Sequence, residues 1–320
     1  MRAVIDKILQ CKSAAVLAHV NEDPDALGSG FAMSAMLRKM GKKAVFYISD
    51  EIERSLAFIG DEYKVYKSEE DIEEHDLCIC LDCGDINRLG ERQAIFKKIG
   101  VSINIDHHYK NPGFDDVNYV DGNAAATAQI LFKLFKEMNW ELDSEIARYL
   151  YIAIASDTGC FKYTNVSPET MRIAGDLLEY NIDHDEVCRL LFDTYTLDVM
   201  KMKAKVMGDI HSYANGKISL ISISKELYEQ FGLTDKDVST FVDIPKCVKG
   251  TEVAVCIKQQ HDGKIRVNLR SNGRANVAEV AEIFGGGGHV KAAGATIVNK
   301  TLEEAEKCVV AECEKAISKI

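Results

Sequence analysis

Three side chains that can bind cations lie within seven residues near the start of the chain. His19, Asp23 and Asp25 follow an apolar segment in the stretch LAHVNEDPDALGSG, residues 17–30. Asp23 and Asp25 flank Pro24, so we expect this backbone to be neither helix nor paired strand. Carboxylates this close repel each other unless a positive charge lies between them. The spacing therefore indicates a cation-binding site.

Carboxylates and imidazoles also follow three later apolar segments. Ligands of open parallel sheets bind beyond the carboxyl ends of the strands, so we expect these side chains to meet the first group. They are Asp82 and Asp85 after LCICL, Asp106, His107 and His108 after VSINI, and Asp157 near the end of YLYIAIASDTG. Taken singly, an aspartate in such a place is more often a helix N-cap than a metal ligand. Taken together, the segments favour a metal site.

The ligand types narrow the choice of metal. A mixed set of aspartate and histidine suits a divalent ion, and a set of this size suits a pair of ions. We predict Mn²⁺. Zn²⁺ and Fe²⁺ are weaker alternatives, and Mg²⁺ is weaker still because imidazole suits it poorly.

The elements that must position these residues alternate between strand and helix. Such alternation predicts βαβ units, hence an α/β fold with a mainly parallel sheet and flanking helices. We predict strands over 14–19, 43–49, 76–82 and 101–106, a helix over 26–40, and mainly helix from 124 to about 208. Gly28 and Gly30 do not form a dinucleotide-binding fingerprint, and close helix packing explains them better.

A second, smaller α/β module begins near Lys217. Its predicted strands cover 251–259 and 264–271 and form a hairpin around Asp262 and Gly263, and its last helix ends the chain. We therefore predict a first domain over 1–196, a connecting helix over 197–213 and a second domain over 214–320.

The composition is that of a globular protein, with 47% hydrophobic and 28% charged residues among 320. No apolar run approaches the roughly 20 residues that a membrane helix needs, and the N-terminus does not have the pattern of a signal peptide. The ten cysteines have irregular spacing, which is typical of buried thiols in a reducing compartment. We expect a cytoplasmic protein that does not contact membranes.

The net charge of −11 is unevenly distributed. Residues 1–214 carry 24 basic and 36 acidic side chains, whereas residues 215–320 carry 15 and 14. The acidic half would repel nucleic acid unless bound cations offset its charge. The segment 246–274 has seven basic and two acidic residues. It is a candidate anion-binding strip, although a solvated strand face would have the same composition.

Five motifs, in order along nearly the whole chain, resemble those of a known family. HVNEDPDALGSG, LDCGD, NIDHH and ASDTGCF resemble the four signature motifs of the DHH phosphoesterase superfamily. GGGGHVKAAGATI resembles the glycine-rich motif of the DHH-associated C-terminal domain. The length and the two-module layout are most similar to the branch of bifunctional oligoribonucleases and 3′-phosphoadenosine-5′-phosphate (pAp) phosphatases.

This resemblance implies a role for each motif residue. One metal would be held by His19, Asp23 and Asp82, and the other by Asp25, Asp82, His107 and Asp157, with Asp82 bridging the two. His108 would contact the phosphate, and Asp106 would orient the histidines. Asp85 is either an additional ligand or an orienting residue. In the second domain, substrate would be held by Arg270, Arg274, Gly286, Gly287, Gly288 and His289.

The implied activity is two-metal hydrolysis of short single-stranded RNA and of the 3′-phosphate of pAp. Two cations roughly 3.5–4 Å apart can lower the pKa of a shared water, which then attacks phosphorus. Alternatives within the enzyme class are a linear or cyclic dinucleotide phosphodiesterase and an inorganic pyrophosphatase or polyphosphatase. A nucleotide-binding regulator without turnover is the alternative from another class. The oligomeric state is open, and a homodimer is among the alternatives.

Overall fold

A six-stranded parallel sheet organises the first part of the chain. The computed structural model describes residues 1–320, which form two units, 1–194 and 195–320. The strands of the first unit are β1 (Ser13–Leu17), β2 (Lys43–Ile48), β3 (Lys64–Val65), β4 (Leu77–Leu81), β5 (Ser102–Asp106) and β6 (Val117–Val120). Their spatial order is β3-β2-β1-β4-β5-β6, so the chain switches direction across the sheet between β1 and β4. The predicted α/β class is confirmed.

Helices pack against this sheet and connect its strands. They are α1 (Arg2–Gln10), α2 (Pro24–Lys39), α3 (Gln93–Ile99), α4 (Thr127–Glu137), α5 (Ser144–Asp157), α6 (Pro168–Leu178) and α7 (His184–Cys188). Two 3₁₀ segments cover Glu69–Asp71 and Ile86–Arg92, and one π-helical turn covers Arg189–Asp193. The four predicted strands correspond to β1, β2, β4 and β5.

The segment that carries the first aspartates corrects one expectation. We expected no helix around Pro24, but α2 begins there and includes Asp25 in its first turn. Proline is well tolerated at the first helical position because its missing N–H would have no partner in the helix. Asp23 caps this helix, since its Oδ1 accepts hydrogen bonds from the backbone N–H groups of Asp25 and Ala26 at 3.1 and 3.0 Å.

Close packing explains the two glycines of α2, as expected. A Cβ atom added at Gly28 would lie 2.6 Å from the backbone oxygen of Tyr149 in α5. A Cβ atom at Gly30 would overlap the ring of Phe46 in β2. These glycines therefore let α2 approach both α5 and the sheet, which places the N-terminus of α2 close to the carboxyl ends of the strands.

The second unit has a mixed six-stranded sheet. Its strands are β7 (His211–Tyr213), β8 (Ile218–Ile223), β9 (Val253–Gln259), β10 (Ile265–Ser271), β11 (Gly287–His289) and β12 (Ala292–Ile297), in the order β11-β12-β10-β9-β8-β7. Only β8 and β9 pair in parallel. The hairpin expected around Asp262 and Gly263 joins β9 to β10.

Five helices complete this unit. They are α8 (Leu197–Gly208), α9 (Lys225–Phe231), α10 (Asp243–Lys246), α11 (Val277–Ile283) and α12 (Leu302–Ser318), with 3₁₀ turns at Ala214–Gly216 and Ser239–Val242. The helix expected over 197–213 ends at Gly208, and β7 follows it. Met202 of α8 is fully buried in a cluster with Ile221 and Phe241, so α8 packs within the second unit. None of the helices in the chain has the length and apolarity needed to cross a membrane.

Candidate metal centre

The carboxyl ends of β1, β4 and β5 bring three predicted site residues together. His19 lies two residues beyond β1, Asp82 directly follows β4, and His107 directly follows β5. The Nε2 atom of His19 lies 3.5 Å from Oδ2 of Asp82, and Nε2 of His107 lies 3.3 Å from Oδ1 of the same carboxylate. The two oxygens of Asp82 therefore face different imidazoles.

The first group of ligand atoms consists of His19, Asp23 and Asp82. Its atoms all lie within 4.8 Å of one another, and Nε2 of His19 is 3.6 Å from Oδ2 of Asp23. The other ring nitrogen of His19 lies 2.9 Å from the backbone oxygen of Val20. Such a bond fixes the ring so that Nε2 faces the two carboxylates, as is usual for histidines that bind metal.

The second group consists of Asp25, His107 and Asp157, again within 4.8 Å of one another. Nε2 of His107 lies 3.4 Å from Oδ2 of Asp157 and 3.9 Å from Oδ2 of Asp25. Nδ1 of His107 faces the backbone oxygen of Ala124 at 3.4 Å. The two groups meet at Asp82, because its Oδ1 lies beside His107 and its Oδ2 beside His19.

Asp25 is fully buried and is held by the N-terminus of α4. Its Oδ2 accepts a hydrogen bond from the N–H of Thr127 at 2.7 Å, and its Oδ1 accepts one from the N–H of Ala128 at 3.2 Å. The hydroxyl of Ser29 also donates to Oδ1, at 3.1 Å. The positive end of a helix dipole favours a carboxylate in this position.

The backbone of Asp82 adopts the left-handed conformation, with φ of +53°. Only a minority of residues other than glycine do so, and at a buried residue the surrounding structure must hold the conformation in place. Thr127 contributes to this, because its hydroxyl donates a 3.0 Å hydrogen bond to Oδ1 of Asp82. The left-handed turn lets the chain leave β4 while the carboxylate stays between the two histidines.

The crowding of charge shifts the pKa values of these groups. Burial opposes a charge on His19, yet its hydrogen bonds to Asp23 and Asp82 outweigh burial and raise its pKa to about 10. Burial and the nearby Asp82 raise the pKa of Asp25 to about 7. Burial also raises the pKa of Asp157, and the carboxylate of Asp25 adds to the effect. Carboxylates and imidazoles packed in this way suit bound cations, which would relieve the repulsion.

His108 and Asp106 form a hydrogen-bonded pair at the edge of this centre. Nδ1 of His108 also lies 3.7 Å from Oδ1 of Asp82, and Asp82, His107 and His108 form a third group of possible metal ligands. Nδ1 of His108 lies 2.7 Å from Oδ1 of Asp106, so Nε2 is the ring atom left for a further partner. The side chain of His108 is 44% exposed, whereas Asp106 is fully buried. We expected Asp106 to orient both histidines of its motif, but it contacts His108, while His107 is oriented by Ala124.

Asp85 has a local role. Its Oδ1 accepts hydrogen bonds from the backbone and side-chain nitrogens of Asn87, both at 2.7 Å, and so caps the 3₁₀ segment that follows. It is absent from the groups of residues that could hold a metal ion.

Two of the predicted substrate residues, Arg270 and His289, lie at the same end of the second sheet, because both are in register with Ala292 of β12. Arg270 lies near the end of β10 with Nη1 bonded to the backbone oxygen of Leu269 at 3.0 Å, and the backbones of Gly287, Gly288 and His289 form β11. Arg274 and His289 are exposed. Gly286 also allows two backbone segments to pack closely, because a Cβ added there would lie 2.2 Å from the backbone oxygen of Gly294.

The candidate anion-binding strip is partly neutralised by nearby carboxylates. Lys258 and Arg266 both pair with Asp235, at 2.6 and 2.8 Å. Lys264 pairs with Asp262 and Lys246 with Asp243. Arg270 and Arg274 form no such ion pair, so their guanidinium groups are the stronger candidates for binding an anion.

Two residues that support the centre were not predicted from the sequence. Thr127 bonds to both Asp25 and Asp82, which precede it by 102 and 45 residues. The buried guanidinium of Arg92 pairs with Glu22 at 2.8 Å and donates to the backbone oxygen of Tyr47. Glu22 immediately precedes Asp23, so this pair fixes the segment that carries the first ligands. The acidic Glu22 inside that motif was the one available signal.

Comparison with known proteins agrees with this architecture. The DHH family model, N-terminal domain, matches residues 13–154, and the DHHA1 domain model matches residues 215–319. A bifunctional oligoribonuclease and PAP phosphatase NrnA from Thermus thermophilus is 31% identical over 296 residues, which is 92% of this chain and 87% of the relative. The protein of the same name from Bacillus subtilis is 29% identical and covers 87% of both chains.

A solved structure shows the same fold over almost the whole chain. It is that of an exopolyphosphatase-related protein from Bacteroides fragilis, with a TM-score of 0.92 and 26% sequence identity. The alignment covers 98% of this chain and 96% of that one. With its motif residues gathered at the switch point of the parallel sheet, and with relatives matching both units, the chain belongs to the DHH family and carries a C-terminal DHHA1 domain.

Proposed function

We propose that the protein is a phosphoesterase that uses two divalent metal ions. The observation that carries this proposal is the position of Asp82, whose two oxygens lie 3.5 and 3.3 Å from histidines of two different ligand groups. A carboxylate placed in this way can bridge two ions. His19 and Asp23 would complete one site, and Asp25, His107 and Asp157 the other.

Mn²⁺ is the ion we propose for both sites. Each group combines imidazole nitrogen with carboxylate oxygen, a combination that Mn²⁺ accepts more readily than Mg²⁺ does. When bound, such ions supply Lewis-acid chemistry that activates water and stabilises charge on phosphoryl oxygens. The donor set fits them, because four buried or half-buried carboxylates would otherwise repel one another.

The substrates we propose are short RNA oligonucleotides and the 3′-phosphate of pAp. Relatives that align over about nine-tenths of this chain carry the name of oligoribonuclease and PAP phosphatase. The acidic first unit requires cations before it can accept a polyanion, which suits a metal-dependent phosphoesterase.

We propose that His108 contacts the phosphoryl group. Its Nδ1 is bonded to Asp106, which holds the imidazole with Nε2 free and favours a proton on the ring. The hydrogen bond to Asp106 raises the pKa of His108, so the ring carries positive charge to a higher pH than usual. A cationic donor at this position would offset charge that develops on the phosphoryl oxygens.

The second unit would hold the substrate. We propose Arg270, Arg274 and His289 as the side chains, and the backbone of Gly286, Gly287 and Gly288 as the surface, that bind a terminal phosphate. An arginine can bind a phosphate through two parallel hydrogen bonds. Neither guanidinium group forms an ion pair with a carboxylate, although the backbone N–H of Arg274 donates to Glu252. The alternative substrate class is a linear or cyclic dinucleotide.

Phosphate release from pAp, and nucleotide release from a short RNA, test the proposal in parallel. We expect both activities with Mn²⁺, none in excess EDTA, and recovery when Mn²⁺ is restored. Pyrophosphate and a cyclic dinucleotide serve as competing substrates in the same assay. Full activity after removal of metal would contradict the metal requirement, and turnover of pyrophosphate alone would contradict the substrate assignment.

A further inference from the structure

A tight turn beside His108 presents an aromatic ring to solvent. The backbone N–H of Asn111 donates a 2.9 Å hydrogen bond to the oxygen of His108, which closes a turn with Tyr109 and Lys110 at its centre. The side chain of Tyr109 is 69% exposed, the largest fraction among the exposed large hydrophobic residues of the chain. An aromatic ring left in water at this point has no role in the core.

The turn is held in place by partly buried polar contacts. The amide of Asn111 lies within hydrogen-bond distance of three oxygens, those of the Cys83 backbone at 3.1 Å, of the Asn104 side chain at 2.8 Å and of Asp106 Oδ2 at 2.7 Å. Asp106 is also the partner of His108. One network therefore fixes both the imidazole proposed to contact phosphate and the base of the turn.

The backbone beneath Tyr109 is fixed as well. A Cβ atom added at Gly122 would lie 2.7 Å from Cβ of Tyr109 and 3.1 Å from its Cα, so the two backbones are packed together. The ammonium of Lys110 lies 5.6 Å from the centre of the tyrosine ring. The ring is thus attached to a closely packed backbone with a positive charge beside it, and ordering a tyrosine ring on binding costs little entropy because it has only two side-chain torsions.

We propose that Tyr109 stacks against a nucleobase of the oligonucleotide whose phosphate contacts His108. This proposal rests on the proposed function. Consecutive Cα atoms lie about 3.8 Å apart, so the base next to a phosphate held at His108 is within reach of the neighbouring ring. Aromatic rings stack on every base, and Lys110 would attract the adjacent phosphate. The site would therefore favour nucleotide substrates over base-free phosphoesters without selecting a base sequence.

Steady-state kinetics of Tyr109→Ala with Mn²⁺ and an RNA dinucleotide test this role. Removal of a stacking ring costs about 5- to 150-fold in binding, so we expect KM to rise by a factor in that range while kcat changes far less. Two abasic dinucleotides, each lacking one base, complete the design. The effect of Tyr109→Ala should disappear with the analogue that lacks the stacked base.

The pattern of outcomes decides the proposal. Loss of sensitivity with either abasic analogue supports stacking and identifies which base is bound. An equal effect on all three substrates, or no effect on any, would overturn it. If the wild-type protein turns over none of them, the proposed function itself has failed, which is a distinct result.

Two further variants guard against an indirect effect. Tyr109→Phe keeps the ring and should restore the wild-type KM, whereas failure to do so would mean that the hydroxyl, and not stacking, matters. Leu9→Ala removes an apolar side chain that is also exposed, at 52%, but lies on α1 before the first strand. It should leave the kinetics unchanged.

Discussion

Asp82 combines burial, a left-handed backbone and two oxygens that face different histidines. Only 2% of the residue is exposed, so neither oxygen can be solvated by bulk water. Its hydrogen bonds to His107 and His19 hold its pKa well below the usual range even though burial acts in the opposite direction. The side chain is thus a fixed negative charge at the junction of the two ligand groups.

Replacement of this one carboxylate should abolish most of the activity. Asp82→Asn keeps the shape of the side chain, and asparagine tolerates the left-handed conformation, so we expect a folded protein. Loss of a residue that supports a metal ligand typically costs 10–100-fold, and loss of a ligand shared by two ions should cost more. We expect kcat/KM for pAp to fall by more than about 100-fold.

Asp106→Asn is the matched comparison, because the side chain of Asp106 bonds to His108 and Asp106 is in none of the groups of possible metal ligands. Its loss in kcat/KM should lie within about 10–100-fold. If Asp82→Asn lost no more than Asp106→Asn, with circular dichroism showing both to be folded, Asp82 would not bridge two ions.

Single residues of the candidate site were predictable where they lie in short motifs. His19, Asp23 and Asp25 are recognisable because three ligand types fall within seven residues. Thr127 was not, because a backbone N–H that binds a carboxylate 102 residues away leaves no trace in the local sequence. Asp106 was assigned to the correct motif, but which histidine it contacts depends on the turn after β5.

At the scale of elements, the contact between α2 and α5 sets the position of the first ligands. Gly28 allows this contact, because any Cβ there would lie 2.6 Å from the backbone oxygen of Tyr149 and 3.0 Å from Cβ of Ala153. Backbone atoms cannot move aside as a flexible side chain can. The helix itself would have to shift, and with it Asp25 in its first turn.

Gly28→Ala should therefore destabilise the protein. Overpacking of this kind costs about 1–3 kcal/mol, which would appear as a fall in melting temperature. Gly175→Ala is the matched control, because Gly175 lies inside α6 and a Cβ added there would meet no atom within 4 Å. It should stabilise the protein by up to about 1 kcal/mol, since alanine is the better helix former. Equal melting temperatures for the two variants would contradict the packing argument.

His75 lies at the N-terminal ends of β1 and β4, which is the end of the sheet away from the ligand groups. Its Nδ1 lies 2.7 Å from the hydroxyl of Ser13 and its Nε2 3.2 Å from that of Tyr47. Burial lowers its pKa to about 4. The folded protein thus resists protonation of this ring at a pH where the unfolded chain accepts it.

This depressed pKa predicts a loss of stability in mild acid. Below about pH 6.5 the imidazole of His75 is protonated in the unfolded chain but stays neutral in the folded protein. The free energy of unfolding is therefore unaffected by His75 above that pH and decreases as the pH falls toward 4. His75→Gln cannot titrate in this way. Between pH 7 and pH 5 the melting temperature should fall less for the variant than for the wild type. Parallel plots of melting temperature against pH would show that His75 does not cause the loss of stability in acid.

The buried strands were predictable and the edge strands were not. β1 and β4 are almost continuous apolar runs, which is the pattern of strands covered on both faces, and β5 alternates isoleucine with polar residues. β3 has two residues and β11 has two glycines among its three, so neither has a periodic pattern. The predicted start of α2 was wrong because Pro24 was interpreted as a helix breaker. The first position of a helix is where proline is best tolerated.

At the scale of the whole molecule, the two units carry different charge and different candidate groups. The metal-ligand groups all lie before residue 158, whereas Arg270, Arg274 and His289 belong to the DHHA1 domain. In the proposed function, the first unit would supply carboxylates for cations, and the second would supply guanidinium groups for anions. This division suggests that the chemistry belongs to one unit and substrate binding to the other.

Arg270→Ala and His289→Ala test the division. A hydrogen bond to a charged group is worth about 1.5–3 kcal/mol, so kcat/KM for pAp and short RNA should fall by about 10- to 150-fold. Hydrolysis of bis-p-nitrophenyl phosphate should change little, because this small activated diester needs only the metal sites. Equal losses on both substrates would mean that these residues act in the chemical step or in folding.

Some properties of the whole molecule did not follow from local patterns. Two domains and the charge difference between them were predictable, because the charged residues and the motifs of each segment can be read directly from the sequence. The homodimer and the cytoplasmic location stay predictions, since neither depends on a motif in this chain. The connecting helix was extended too far, because Ile210 and Tyr213 continue its apolar spacing although the backbone turns into β7.

A titration of metal-free protein with Mn²⁺, with bound metal and phosphate release from pAp measured in the same samples, tests the two-metal account most directly. The position of Asp82 between two ligand groups predicts that the chain binds two ions and that activity follows occupancy of the second. Asp157→Asn, which alters one group alone, should bind one ion tightly and remain inactive. Full activity of the wild-type protein with one bound ion per chain would contradict the account.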